Sequence, residues 1–129
     1  MIVLDASAAI EFLLHTESGV LIGRRILTGE TLHAPHLIDA EVSQVLRRNL
    51  ATGILPEGRA KEALQDMADL RLRRYPHVPF LPRVWELRAN LTAYDALYVA
   101  LAESLDATLL TRDGKLAASP GHGARVQLF

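Results

Sequence analysis

The chain has 129 residues, half of them hydrophobic, with no cysteine and a formal net charge of −1. These totals exclude disulfides, thiolate zinc sites and cysteine nucleophiles, and they exclude a chain-wide positive field that would draw in a polyanion. No uninterrupted apolar run reaches the ~18 residues that span a bilayer, and Asp5 and Glu11 break up any leader-like start, so the reading is one domain over residues 1–129, with no membrane association and a cytoplasmic location.

In chain order, IVLD (2–5) is short and β-branched and reads as a buried strand that stops on Asp5. ASAAIEFLLH follows directly as a helix, with Ser7 available to cap it. A second helix over roughly 18–28 ends at Gly29, and Pro35 precedes the strongly periodic helix HLIDAEVSQVLRRNL, which closes near Gly53. Residues 57–70 form another helix, and RLRRY (71–75) is a candidate short strand cut off by Pro76 and Pro79. Helix 82–90 and the helix TAYDALYVALAESL come next, then the apolar strand DATLLTRD, a turn and short helix in DGKLAAS, and a last strand in ARVQLF. Short apolar strands alternating with helices predict an α/β fold, a three-layer α/β/α sandwich around a short parallel sheet. No repeat, low-complexity tract or linker interrupts it.

In open parallel sheets, ligands bind outside the carboxyl ends of the strands, so acids at those ends carry most weight. Asp5 follows the first strand directly and Asp113 follows the LLT strand by two residues. Each has an ordinary alternative: Asp5 as a helix cap, Asp113-Gly114 as a turn. Glu41 falls on the helix face that carries Leu37, Ile38, Val42 and Val45. An inward carboxylate there needs a partner, either a cation in a site or an arginine at the rim. Asp95 stands three residues after Thr92 in a capping-box pattern, yet its helix is apolar almost all round, which holds the acid at the rim of the sheet. Ser7 and Thr111 lie two residues from Asp5 and Asp113 respectively, close enough to orient an acid or a water. Glu11, Glu57, Glu62 and Glu86 read as surface residues.

Four carboxylates at one rim repel one another unless cations sit between them. All-oxygen ligands suit Mg²⁺ or Mn²⁺ rather than zinc, and the five histidines show no paired ligand spacing. Hard cations commonly bridge to phosphate oxygens, which lets a nearly neutral protein hold a nucleic-acid backbone and hydrolyse a phosphodiester with activated water. Arginine grips phosphate bidentately, and Arg24-Arg25, Arg47-Arg48, Arg71 and Arg73-Arg74 are either such contacts or solvated surface.

The segments IVLDASA, APHLIDAEVSQVLRR, NLTAYDALYVALAE and LLTRDGKLA, in this order, resemble the successive signatures of PIN-domain nucleases, specifically VapC toxins of toxin–antitoxin pairs. The resemblance runs from Met1 to Phe129 and implies a single PIN domain of the PIN-like fold. It also implies a Mg²⁺- or Mn²⁺-dependent endoribonuclease whose acidic quartet is Asp5, Glu41, Asp95 and Asp113, with Ser7 and Thr111 at the accessory hydroxyl positions. It further implies a homodimer silenced by a cognate VapB antitoxin, whose C-terminal tail can put an arginine into the acidic site. Residues 54–79 carry no such signature. The competing reading is a non-catalytic binding module on the same scaffold. A dehalogenase-like phosphatase would need an aspartate where Ser7 stands, and a receiver domain would need an acid after its third strand that RLRRYPH lacks.

Overall fold

The computed structural model describes every residue, Met1–Phe129. Its centre is a five-stranded, all-parallel sheet of β1 (Ile2–Leu4), β2 (Leu32–Pro35), β3 (Leu72–Tyr75), β4 (Thr108–Thr111) and β5 (Arg125–Leu128), ordered β3-β2-β1-β4-β5. Seven α-helices connect them: α1 (Ala6–Leu13), α2 (Glu17–Ile26), α3 (Leu37–Ala51), α4 (Glu57–Asp69), α5 (Leu81–Glu86), α6 (Ala93–Ser104) and α7 (Gly114–Ala118), with one 3₁₀ turn at Val78–Phe80. This is the α/β architecture expected from the alternating pattern. Consecutive residues of a strand point to opposite faces. Ile2, Val3 and Leu4 are all fully buried, as are Leu109 and Leu110, so both faces of the central strands are covered.

Right-handed crossovers place α1 to α4 on one face and α5 to α7 on the other. The contacts agree: α1 packs against α2 and α3, α3 packs against α4, and α5 packs against α6, which lies on β1, β2 and β4. The chain leaves β1 in one direction and returns beside it as β4, so strand order reverses between these two neighbours. The crevice at their carboxyl ends is the position where such sheets bind ligands.

Three local readings change. β2 carries no strand signal in the sequence, because LHAP is too short for a visible alternation, contains a histidine and ends on proline. The strand forms because His33, only 5 % exposed, is satisfied on both ring nitrogens, by the Thr31 hydroxyl at 2.7 Å and the Tyr75 hydroxyl at 2.8 Å. Ser7 does not cap α1; Asp5 occupies the cap position, with no side-chain capping bond. The regular part of the expected helix 82–90 ends at Glu86. RLRRY does supply β3 as expected, and Arg74 explains how so polar a strand is held. Its guanidinium donates to both Asp39 oxygens, at 2.6 and 2.8 Å, and to the Met67 carbonyl at 3.1 Å, tying β3 to α3 and α4. No helix is long and apolar enough to cross a membrane.

The α1–α2 corner depends on a missing side chain. A Cβ on Gly19 would lie 1.9 Å from the backbone oxygen of Glu11, whereas one on Gly58 would meet nothing within 4 Å. Gly19→Ala therefore destabilises the protein by at least about 2 kcal/mol, because the obstacle is backbone and cannot rotate away. Gly58→Ala, in an open helical position, stabilises it by about 0.5–1 kcal/mol. Urea denaturation of the two variants checks both signs.

Candidate active site

The end of β1 and the end of β4 are joined by a small hydroxyl network. Asp5 is 5 % exposed and Thr111 is fully buried. The Ser7 and Thr111 hydroxyls both donate to Asp5 Oδ2, at 2.6 and 2.7 Å. Each hydroxyl oxygen in turn accepts a backbone N–H, Ser7 from Arg112 and Thr111 from Asp113, both at 2.9 Å. Four groups from two strand ends are thereby oriented around one carboxylate. Burial pushes the Asp5 carboxyl above the usual carboxylate range, and the two hydroxyl bonds oppose that rise. Both hydroxyls use the same oxygen; Oδ1 accepts from neither.

Glu41 is the fifth residue of α3 and meets α6, whose Tyr98 hydroxyl donates to Glu41 Oε1 at 2.7 Å. No arginine neutralises it; the α3 acid with an arginine partner is Asp39. Burial raises the Glu41 carboxyl, the Tyr98 bond opposes this, and the charges of Asp5 and Asp95 add to the rise. Asp95 lies in the first turn of α6, where its backbone N–H donates to the Thr92 hydroxyl at 3.2 Å. Its carboxyl is raised by burial and then by the charges of Asp5 and Asp113. Asp113 caps α7, Oδ1 accepting from the N–H groups of Lys115 at 2.8 Å and Leu116 at 3.3 Å. Capping and a place at the site thus coexist at Asp113, as they do in the turn holding Asp95.

All four acids and Ser7 line one cleft of about 430 Å³, while Thr111 stands behind Asp5. None of the four takes part in an ion pair. No three acids close into a ready-made cage; they face the cleft from separate elements. The donor set is nevertheless the one a hard cation takes: carboxylate and hydroxyl oxygens only, with no histidine among the lining residues. Mutual repulsion that raises carboxyl pKa values in an open cleft is the electrostatic condition a divalent ion relieves.

Two features were not singled out from sequence. Tyr98 is a positioning group for Glu41, and its signal was its place three residues after Asp95, on the same face of α6. Gln44 and Tyr94 also line the cleft, beside Arg48 of the Arg47-Arg48 pair already marked in the sequence, which stands seven residues after Glu41 and so on the same face of α3.

An acid-lined crevice at the switch point of a parallel sheet defines an α/β protein built to handle a charged ligand. A family model for the PIN domain matches residues 2–120. Ribonuclease VapC12 of Mycobacterium tuberculosis is 43 % identical over 128 residues, covering 99 % of this chain and 98 % of its own length. Among solved structures, PAE2754 from Pyrobaculum aerophilum superposes with a TM-score of 0.75 at 24 % identity, over 97 % of this chain and 81 % of that one. VapBC2 from Rickettsia felis, bound to a DNA fragment from its promoter, gives a TM-score of 0.73 at 16 % identity, over 100 % of this chain and 99 % of that one. The chain belongs to the PIN-domain family and, within it, to the VapC ribonucleases.

Two outcomes follow from the electrostatics. A carboxyl whose pKa is higher in the folded chain binds its proton more tightly there, so its ionisation costs stability at neutral pH; the cost vanishes below the unfolded value of about 4. Asp95→Asn therefore raises the stability of the protein in chelator at pH 7 and brings no such gain below about pH 4, as urea titrations at both pH values would read. Tyr98→Phe removes the bond that holds Glu41 down, so the Glu41 carboxyl moves further up in a ¹³C NMR titration while the fold is retained.

Proposed function

We propose that this chain is a Mg²⁺- or Mn²⁺-dependent endoribonuclease, the toxin of a toxin–antitoxin pair, that hydrolyses RNA phosphodiester bonds and is silenced by a VapB-type antitoxin. The observation that carries this reading is the convergence of Asp5, Glu41, Asp95 and Asp113 on one cleft without a single neutralising arginine. A non-catalytic binding module has no use for so costly an arrangement, whereas a metal-assisted nuclease depends on it. The ribonuclease name of the 43 %-identical relative supports the substrate class. The VapBC2 assembly supports an antitoxin as partner. In this reading the protein acts as a single domain over residues 1–129, in the cytoplasm, as a homodimer.

The four carboxylates would hold the cation, which when bound supplies Lewis-acid polarisation of the scissile phosphate and a lowered pKa for water. The chain's own contribution is orientation and proton handling. Ser7 and Thr111 fix Asp5 through Oδ2, and their bonds to the Arg112 and Asp113 N–H groups keep the end of β4 in register with it. Tyr98 fixes Glu41. Glu41 and Asp95, whose carboxyls are raised by burial and by their acidic neighbours, are assigned the proton of the attacking water. No covalent intermediate with the protein is required.

Asp5→Asn and Asp95→Asn, each folded by circular dichroism, lose at least about a hundredfold in RNA cleavage, because several kcal/mol of charge stabilisation depend on the acids. Cleavage by the unaltered protein stops in excess chelator and returns with Mg²⁺ or Mn²⁺. Either ion also raises the thermal midpoint of the unaltered protein and not that of the Asp5→Asn variant. Hydrolysis that persisted in chelator, or in either variant, would rule the reading out.

A further inference from the structure

One wall of the acidic cleft is not acidic. Gln44 and Arg48 continue the α3 face that begins with Glu41, and Tyr94 projects from the start of α6 beside Asp95. Arg48 is exposed and makes no ion pair, although it shares a cleft with four carboxylates. The helix explains why: seven residues place Arg48 about 10 Å along the axis from Glu41, beyond reach of the acids yet on their side. Among the arginines flagged by the sequence, Arg48 alone lines this cleft, and three of the others are already engaged. Arg25 pairs with Glu30, Arg74 with Asp39, and Arg73 lies over the Tyr75 ring at 5.3 Å. Tyr94 leaves 62 % of its surface exposed, and its hydroxyl has no partner. An aromatic so exposed, one residue from a site acid, contributes little to packing and offers a free ring face.

Resting on the nuclease reading above, we infer that Gln44, Arg48 and Tyr94 form the subsite for the single-stranded RNA flanking the scissile bond. Arg48 takes a neighbouring phosphate through its two-pronged guanidinium. Tyr94 stacks a base, and Gln44 hydrogen-bonds between them. A cationic side chain and an exposed aromatic along one groove are the combination that binds single strands with little sequence preference. The net charge of −1 makes such local contacts necessary, since no overall field assembles the complex. An acidic antitoxin segment is the other macromolecule Arg48 could meet, but it has no use for the stacking face of Tyr94.

The test titrates a fluorescein-labelled single-stranded RNA against the Asp5→Asn protein in Mg²⁺ over a range of KCl concentrations, with and without the added change Arg48→Ala. It also measures KM and kcat for Arg48→Ala, Tyr94→Ala and Tyr94→Phe in the otherwise unaltered protein. Arg48→Ala weakens binding and lowers the slope of log affinity against log salt by about 0.7, the loss of one phosphate contact on a single strand. Tyr94→Ala raises KM about tenfold with kcat little changed, and Tyr94→Phe, which keeps the ring, restores it. Unchanged salt slope and KM in a protein that still cleaves RNA would overturn the subsite and leave the nuclease reading intact. So would a loss confined to antitoxin binding. Failure of the unaltered protein to bind RNA would overturn both, and altered binding in a protein that never cleaves would uphold the subsite while sinking the catalytic reading.

Discussion

Everything at this site depends on keeping one buried carboxylate in place. Asp5 sits at the junction of β1 and α1 with almost no access to solvent, where an ionised group is costly. Two hydroxyls, Ser7 and Thr111, make that position tolerable, and they are themselves fixed by backbone N–H groups of the β4–α7 turn. The network joins residues about a hundred positions apart, so the geometry of the acid and the pairing of β1 with β4 support one another. The parallel register of Ile2 with Thr108 and Leu4 with Leu110 brings Asp5 level with Thr111.

Around this fixed point the fold adds acids from elements that approach from different directions. α3 brings Glu41 from one layer and α6 brings Asp95 and Tyr98 from the other, while α7 begins on Asp113. The carboxyls of Asp5, Glu41 and Asp95 are raised, first by burial and then by the charges of their acidic neighbours. Structural ion pairs lie elsewhere. Arg74 with Asp39 locks β3 to α3, and Arg83 holds Glu103 through two bonds at 2.8 and 3.0 Å on the opposite layer. The chain thus separates acids that are neutralised to hold the fold from acids left open in the cleft.

The same separation accounts for the two kinds of arginine. Arg25, Arg59, Arg74, Arg83 and Arg125 are spent on carboxylates and carbonyls, whereas Arg48 faces the cleft free. On helix α3, Asp39 and Glu41 are two residues apart and point about 200° apart around the axis, so one meets Arg74 and the other the cleft. A sequence pattern of alternating acids and apolar residues cannot by itself tell which side a given acid serves.

The sequence by itself determined the α/β alternation, the end of the first strand on Asp5, and the face of α3 that carries Glu41, because these are local consequences of periodicity and of strand length. It also marked all four acids of the cleft, since each stands at a strand end or on an inward helical stripe. It did not reveal β2, whose four residues bear no period and whose His33 is acceptable only with Tyr75 beside it. Nor did it reveal that Ser7 serves Asp5 rather than the cap, that Tyr98 holds Glu41, or that Arg48 escapes every acid near it. These are decided by distances between elements far apart in the chain, and such distances exist only once the strands pair and the helices pack.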